Sequence, residues 1–393
     1  MPLINRTIEA VLRTYASKYP VVTITGPRQS GKTTLCKKVF ANKPYANLES
    51  PDVRQFAVDD PRGFLAQYPD GAILDEIQRV PDLVSYIQPI VDEDQREGLF
   101  ILTGSQQFEV SNTINQSLAG RTALLKLLPF SIKEIQSGYS QPDINSLLYQ
   151  GFYPRIWDKK LNPTQALGDY FETYIERDLR QLITIKDLSL FQRFIKLCAG
   201  RTGQLLNMNS LANDTGISHT TAGNWLSILE ASYILFLLQP YHTNISKRLI
   251  KSPKLYFYDV GLASFLINIE NEKQIARDPL MGNLFENMVI AEAVKYRFNQ
   301  GKKSNIYFYR DSKGNEVDLL LQSGSDIFPV EIKAGMTITR DYFKGLNHFT
   351  KIFSEHVSKG AGIVYSGDES QKRTDVTIVP FQQMIDLFRI VEE

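Results

Sequence analysis

At 393 residues the chain exceeds one ordinary hydrophobic core and is expected to divide into roughly two to four domains. Its 43% hydrophobic and 22% charged residues fit a water-soluble globular protein, and 44 Lys plus Arg against 43 Asp plus Glu leave no global basic field, so any nucleic-acid contact must be local. Two cysteines, Cys36 and Cys198, exclude a disulfide scaffold or a cysteine-based metal site. The first residues lack an apolar leader core and no apolar run approaches ~18 residues, which predicts a cytoplasmic protein with no membrane partner.

Val21 to Thr25 reads as a buried β-branched strand that feeds Gly26-Pro27-Arg28-Gln29-Ser30-Gly31-Lys32-Thr33. This is GxxxxGKT, a Walker A phosphate loop, and it is followed by a helix over Thr34 to Val39. Residues Gly26 to Thr34 are the expected ATP-binding set. Successive backbone N–H groups cradle phosphates in such a loop, Lys32 reaches the β- and γ-phosphates, and the Thr33 hydroxyl is a Mg²⁺ ligand. Gly71 to Glu76 is a short apolar run ending in two carboxylates, the form of a Walker B strand. Asp75 is then the second Mg²⁺-holding residue, and Glu76 the group that polarises the attacking water. Leu99 to Ser105 is another buried-strand pattern, and it ends in small hydroxyl residues. In a parallel sheet the carboxyl ends of strands face the ligand crevice, which places Thr103 and Ser105 to sense the γ-phosphate or its water. Alternation of strand and helix from Val21 to Leu128 predicts a doubly wound α/β core.

Leu118-Ala119-Gly120-Arg121-Thr122 and Leu127 to Glu134, with Gly26-Pro27-Arg28-Gln29 and Asp75-Glu76-Ile77-Gln78, resemble a large bacterial and archaeal family of AAA-type ATPases. The resemblance implies ATP and Mg²⁺ as cofactors and a homo-oligomeric ring, since the chain has no second Walker A motif. In such rings an arginine of one subunit completes the neighbour's site. Arg121 is the candidate arginine finger; the alternative is a structural arginine paired with a carboxylate.

From Gln165 to Leu197 the pattern is helical, with Tyr170, Tyr174, Ile175 and Leu179 as an apolar stripe, and Tyr170 to Leu179 again resembles the same family. Asn209 to Ser218 reads as a helix, a glycine turn and the cap of a second helix running from His219 to about Leu229, a helix-turn-helix. His219, Thr220, Thr221 and Asn224 lie opposite the apolar Trp225, Ile228 and Leu229 and are the candidate groove-facing residues. A strand over Tyr233 to Leu238 and a basic wing with Lys247, Arg248, Lys251 and Lys254 predict contact with a DNA backbone.

Gly282 to Ile290 opens an amphipathic helix carrying Glu286, and strands follow over Ile306–Arg310, Glu316–Leu321 and Ile327–Lys333. Asp318 and the Glu331-x-Lys333 pair have the spacing of a PD-(D/E)xK core, with Val317 in place of the proline. In that chemistry carboxylates bind Mg²⁺ and a lysine helps to generate the attacking hydroxide. Period-2 geometry puts Glu331 and Lys333 on one face of their strand. The set resembles the restriction-endonuclease-like core shared with archaeal Holliday-junction resolvases, either active or kept as a binding module.

The expected fold class is α/β: an AAA-type parallel-sheet core over residues 1–135, a helical lid or connector over 136–200, a winged-helix domain over 201–270 and a nuclease-like α/β domain over 271–393. The expected function is an ATPase that remodels or moves along DNA, branched DNA included. The alternative is a nucleotide-driven switch whose later domains bind protein partners.

Overall fold

The computed structural model describes residues 3–105, 118–139, 142–176, 187–241, 251–357 and 359–391. The chain divides into two compact units, each with its own sheet. No helix among the described residues is long and apolar enough to cross a membrane.

The first unit comprises residues 1–130 with two short later segments, 231–233 and 298–302. Its five strands are β1 (Val21–Thr25), β2 (Tyr45–Asn47), β3 (Ile73–Asp75), β4 (Phe100–Gly104) and β5 (Thr122–Lys126), all parallel in the order β2-β3-β4-β1-β5. Alternate residues serve opposite faces. On one face Val22, Ile24 and Ile101 pack with Ile8, Leu12, Leu35 and Cys36; on the other Val21, Phe100 and Leu102 pack with Phe64, Leu83 and Ile87. Both faces are covered by helices, which is why these strands read as continuous apolar runs. The order places β4 between the phosphate-loop strand and the Walker B strand. Thr103, Asp75 and the loop after Thr25 therefore emerge side by side.

Tyr233 belongs to this unit although it lies 208 residues beyond Thr25. It is fully buried, adopts a left-handed backbone (φ 57°), and its hydroxyl is 2.7 Å from Thr25 Oγ1 at the base of the phosphate loop. The strand expected from Tyr233 begins only at Leu235, because Tyr233 turns the chain.

The second unit holds the helical middle and the C-terminal sheet. A helix over Pro163–Tyr170 continues as a π-turn over Phe171–Glu176, and the next described helix is Leu188–Ala199. The side chains of Ile175 and Leu179 lie outside the described residues. Helices Met208–Thr215 and His219–Ala231 follow, separated by the left-handed Gly216 (φ 85°). Trp225 is wedged edge-on between Phe191 and Phe194, with centroids at 5.2 and 5.5 Å, so the second helix is held by its apolar side as expected. Strands β6 (Leu235–Leu238) and β7 (Lys254–Phe257) then pair antiparallel.

Beyond these, β8 (Ile306–Arg310), β9 (Glu316–Ser323), β10 (Asp326–Lys333), β11 (Ala361–Tyr365), β12 (Gln371–Lys372) and β13 (Val376–Pro380) form a mixed sheet in the order β12-β13-β11-β10-β9-β8. Three of these strands were anticipated; β11, β12 and β13 were not. The helix Met281–Asn299 departs from the amphipathic expectation. Leu284, Phe285, Met288, Val289, Ile290, Ala293 and Val294 are buried together with polar Asn287, Glu292 and Lys295, so its polar residues are internal rather than a wet face. Both cysteines are buried free thiols.

Candidate functional site

The phosphate loop is shaped by backbone that only particular residues tolerate. A Cβ on Gly26 would stand 2.0 Å from the Leu127 carbonyl oxygen, so the loop can lie against the end of β5 only as glycine. Gly31 (φ 92°) is left-handed immediately before the helix Lys32–Val39, and Gln29 (φ 62°) is left-handed without being glycine. Lys32 is 4% exposed and donates to the carbonyls of Gly26 (2.8 Å) and Pro27 (2.9 Å). Burial pulls its pKa below the ordinary lysine value, against the opposing charges of Glu76 and Asp75. Thr34 is exposed on the first helical turn, and Arg28 reaches out to Glu49 at 3.1 Å.

Asp75 is the centre of a hydroxyl cluster. Thr33 Oγ1 donates to its Oδ2 at 2.9 Å, the Tyr45 hydroxyl donates to the same oxygen at 2.7 Å, and Thr103 Oγ1 donates to Oδ1. The adjacent Thr33 hydroxyl and Asp75 carboxylate are hard oxygen donors of the type Mg²⁺ takes from a phosphate loop and a Walker B strand. Glu76 sits in the left-handed region (φ 58°, ψ 49°), a strained conformation for a residue with a side chain. Its amide donates to Thr103 Oγ1 at 3.3 Å, and its Oε2 accepts from Ser105 Oγ at 2.9 Å and from Gln78 Nε2. The structure thus brings Lys32, Thr33, Asp75, Glu76, Thr103 and Ser105 to one edge of the parallel sheet.

Arg121 is elsewhere in the unit. It precedes β5, its carbonyl accepts from Val21 N at 3.2 Å at the start of β1, and the phosphate loop lies at the other end of that strand, about 13 Å away for five residues. Its guanidinium forms a two-point pair with Asp92, with Nη2 at 2.9 Å. Within one chain the pairing alternative is the one realised.

Sequence reasoning missed Arg6. This side chain is 8% exposed, donates from Nη1 to the Ser30 carbonyl (2.6 Å) and from Nη2 to the Leu128 carbonyl (2.7 Å), and lies 5.0 Å from the Phe130 ring centroid. It ties the phosphate loop to the segment after β5. Its partners are 24 and 122 residues away, so no local pattern could have found it. Arg6→Ala leaves two buried carbonyls without this donor and is expected to cost on the order of 2–3 kcal/mol of stability. Chemical denaturation measures this, and titration with a fluorescent nucleotide should show weaker binding; unchanged stability and affinity would contradict the clamp.

The expected nuclease-like residues also come together, with additions. Glu286 comes from the helix Met281–Asn299, Glu316 and Asp318 from β9, Glu331 and Lys333 from β10, and Lys254 and Tyr256 from β7. Lys333 Nζ lies 2.8 Å from Glu331 Oε1 and 3.3 Å from Asp318 Oδ2, which also accepts from the Ile332 amide at 2.9 Å. Tyr256 donates to Glu286 Oε1 at 2.5 Å. Burial pushes the Glu331 carboxyl up to about 8, and the Asp318 charge adds to this against the pull of Lys333.

One expectation fails here. Lys254 does not stand on a phosphate-facing wing: it is 3% exposed, with Nζ 2.8 Å from Glu286 Oε1 and paired also with Glu316. Among the described residues no group of three or more His, Cys, Asp or Glu side chains is arranged to hold a metal ion. Lysine ammonium groups stand between the carboxylates instead. Lys247 and Arg248 lie outside the described residues. His219, Thr220, Asn224 and Lys251 are exposed and Thr221 is half-buried.

Residues 18–136 match the model of an AAA domain; residues 141–273 and 281–384 match two domains of unknown function, DUF8612 and DUF4143. An uncharacterised protein of Mycobacterium tuberculosis is 29% identical over 336 residues, covering 85% of this chain and 74% of that protein. An uncharacterised protein of Haemophilus influenzae is 24% identical, covering 79% and 81%. Among solved structures, a Walker-type ATPase of Pyrococcus abyssi aligns over 67% of this chain and 96% of its own, at 15% identity and a TM-score of 0.45. AMPPCP-bound DnaA from Aquifex aeolicus aligns over 57% and 85%, at 16% identity and a TM-score of 0.31.

Proposed function

We propose that this chain is a Mg²⁺-dependent, ATP-hydrolysing AAA-type ATPase that works as a ring of identical subunits on DNA, branched forms included, with a nuclease-like C-terminal domain that engages the same DNA. The observation that carries the hydrolytic part is the pair of adjacent carboxylates at the end of β3, each held by hydroxyls: Asp75 by Thr33 and Thr103, Glu76 by Ser105. A site that only binds nucleotide has no need of a second, strained carboxylate beside the first.

Lys32 exchanges the carbonyls of Gly26 and Pro27 for phosphate oxygens, and the loop amides fix the chain of phosphates. Glu76 orients the attacking water and takes its proton. Ser105 and Gln78 keep the Glu76 carboxylate in one rotamer. Thr33 and Asp75 would hold Mg²⁺, which would offset the charge of the phosphates.

DNA as the partner is supported by the helix-turn-helix geometry, with His219, Thr220 and Asn224 on the open side of the second helix. A second reading, a nucleotide-driven switch that binds proteins, draws on that same face: it presents no Lys or Arg, and Lys254 is withdrawn from it. The deciding experiment is ATP turnover with a panel of duplex, flap and junction DNAs, run with sizing of the ATP-bound particle. Turnover stimulated by at least one DNA form in a multi-subunit particle is expected; a monomer that binds no DNA at low salt would sink the reading.

A further inference from the structure

The cluster on β7, β9, β10 and the helix Met281–Asn299 contains four carboxylates, from Glu286, Glu316, Asp318 and Glu331, in largely buried surroundings. A divalent ion in such a place needs carboxylate oxygens aimed at one point, at about 2.0–2.1 Å for Mg²⁺. Here Lys254 Nζ takes Glu286 Oε1 at 2.8 Å and Glu316 Oε1, and lies 5.6 Å from the Phe308 centroid. Lys333 Nζ takes Asp318 and Glu331. The outer oxygen of Glu316 is held by Arg310 at 2.7 Å. Among the described residues of the cluster, Glu331 Oε2, in a side chain 9% exposed, is the one buried oxygen without a hydrogen-bond partner.

Two features separate Lys254 from the lysine of the Glu-x-Lys pair. Lys333 is 30% exposed along its side chain and can swing away, whereas Lys254 is enclosed at 4%. Lys254 is also fixed from behind, since its backbone pairs with Leu238 of β6 and bridges to Leu205. A mobile lysine can share a carboxylate site with a metal; an enclosed one bonded to Glu286 and Glu316 already fills the place between them.

We propose that Lys254 is a tethered counter-cation that occupies the position between Glu286 and Glu316 and closes these two carboxylates to divalent ions. The inference rests on the nuclease-like reading of Glu286, Asp318, Glu331 and Lys333. It does not depend on the ATPase or on DNA.

Mn²⁺ is the probe, with free ion counted by electron paramagnetic resonance in nucleotide-free full-length protein. The wild type and Glu316→Gln should bind the same number of Mn²⁺ ions, because the carboxylates that hold Lys254 contribute no site. Lys254→Gln should bind one further Mn²⁺ per chain, and Lys254→Gln with Glu316→Gln should lose it again. A wild-type site that disappears in Glu316→Gln would overturn the proposal, and so would a folded Lys254→Gln that gains no ion. If Lys254→Gln does not fold, the comparison of wild type with Glu316→Gln still decides. Loss of DNA-stimulated ATP turnover would instead count against the ATPase reading and leave this result untouched.

Discussion

Glu76→Gln is expected to lower ATP turnover by on the order of 10²–10⁴-fold while ATP affinity stays within a few-fold of wild type. The amide keeps the size of the carboxylate and an acceptor oxygen for Ser105, so the loop and the hydroxyl cluster around Asp75 are undisturbed. What it removes is the group that takes a proton from water. The φ of 58° at this position is unfavourable for both residues alike, so backbone strain does not enter the comparison. Lys32→Ala is the contrasting variant: it deletes the buried ammonium at the loop and should abolish tight ATP binding itself. Single-turnover hydrolysis with a parallel binding titration separates the two. Wild-type turnover in Glu76→Gln would remove Glu76 from the mechanism.

The second large effect concerns folding. Glu292 and Lys295 lie one helical turn apart in the helix Met281–Asn299, at 2% and 1% exposure, with Nζ 2.7 Å from Oε1. Glu292 Oε2 also accepts from the Ile132 amide at 2.9 Å, and Lys295 Nζ lies 3.8 Å from the Phe152 ring centroid. Removing one charge of such a pair strands the other in a medium that cannot solvate it. Lys295→Met is therefore expected to destabilise the second unit by about 3–5 kcal/mol. Adding Glu292→Gln should recover a substantial part, because the amide oxygen can still accept from Ile132. Equilibrium urea unfolding of the single and double variants tests this; a loss below ~1 kcal/mol in Lys295→Met would show that the pair is not what secures the helix.

What could be read from the chain follows from how local each feature is. Val21 to Thr33 is a strand, loop and helix in unbroken sequence; Gly26 is required by its approach to Leu127 just after β5, and Gly31 by its left-handed backbone. Asp75 and Glu76 were legible because a strand delivers its last residues to one place. Glu331 and Lys333 followed from period-2 alternation along β10. Arg6 and Lys254 were not legible. Arg6 acts on carbonyls distant in sequence, and Lys254 resembles any lysine of a basic wing until β7 is seen to lie against the helix carrying Glu286. The helix Met281–Asn299 misled for a related reason: Glu292 and Lys295 look like solvated charges in sequence, and each is the other's solvent.

The contact between Tyr233 and Thr25 bears on how the molecule can be dissected. Cutting after residue 135, where the sequence suggests a boundary, would strip the nucleotide-binding unit of residues 231–233 and 298–302. The Thr25 hydroxyl would lose the phenol 2.7 Å away, and the base of the phosphate loop would open to water. Gly301, whose carbonyl faces the Tyr15 hydroxyl at 3.4 Å, would go with it. An excised N-terminal fragment is then a poor stand-in for the intact ATPase. Its inactivity in an assay would report the missing plug, not the chemistry of Lys32 or Glu76.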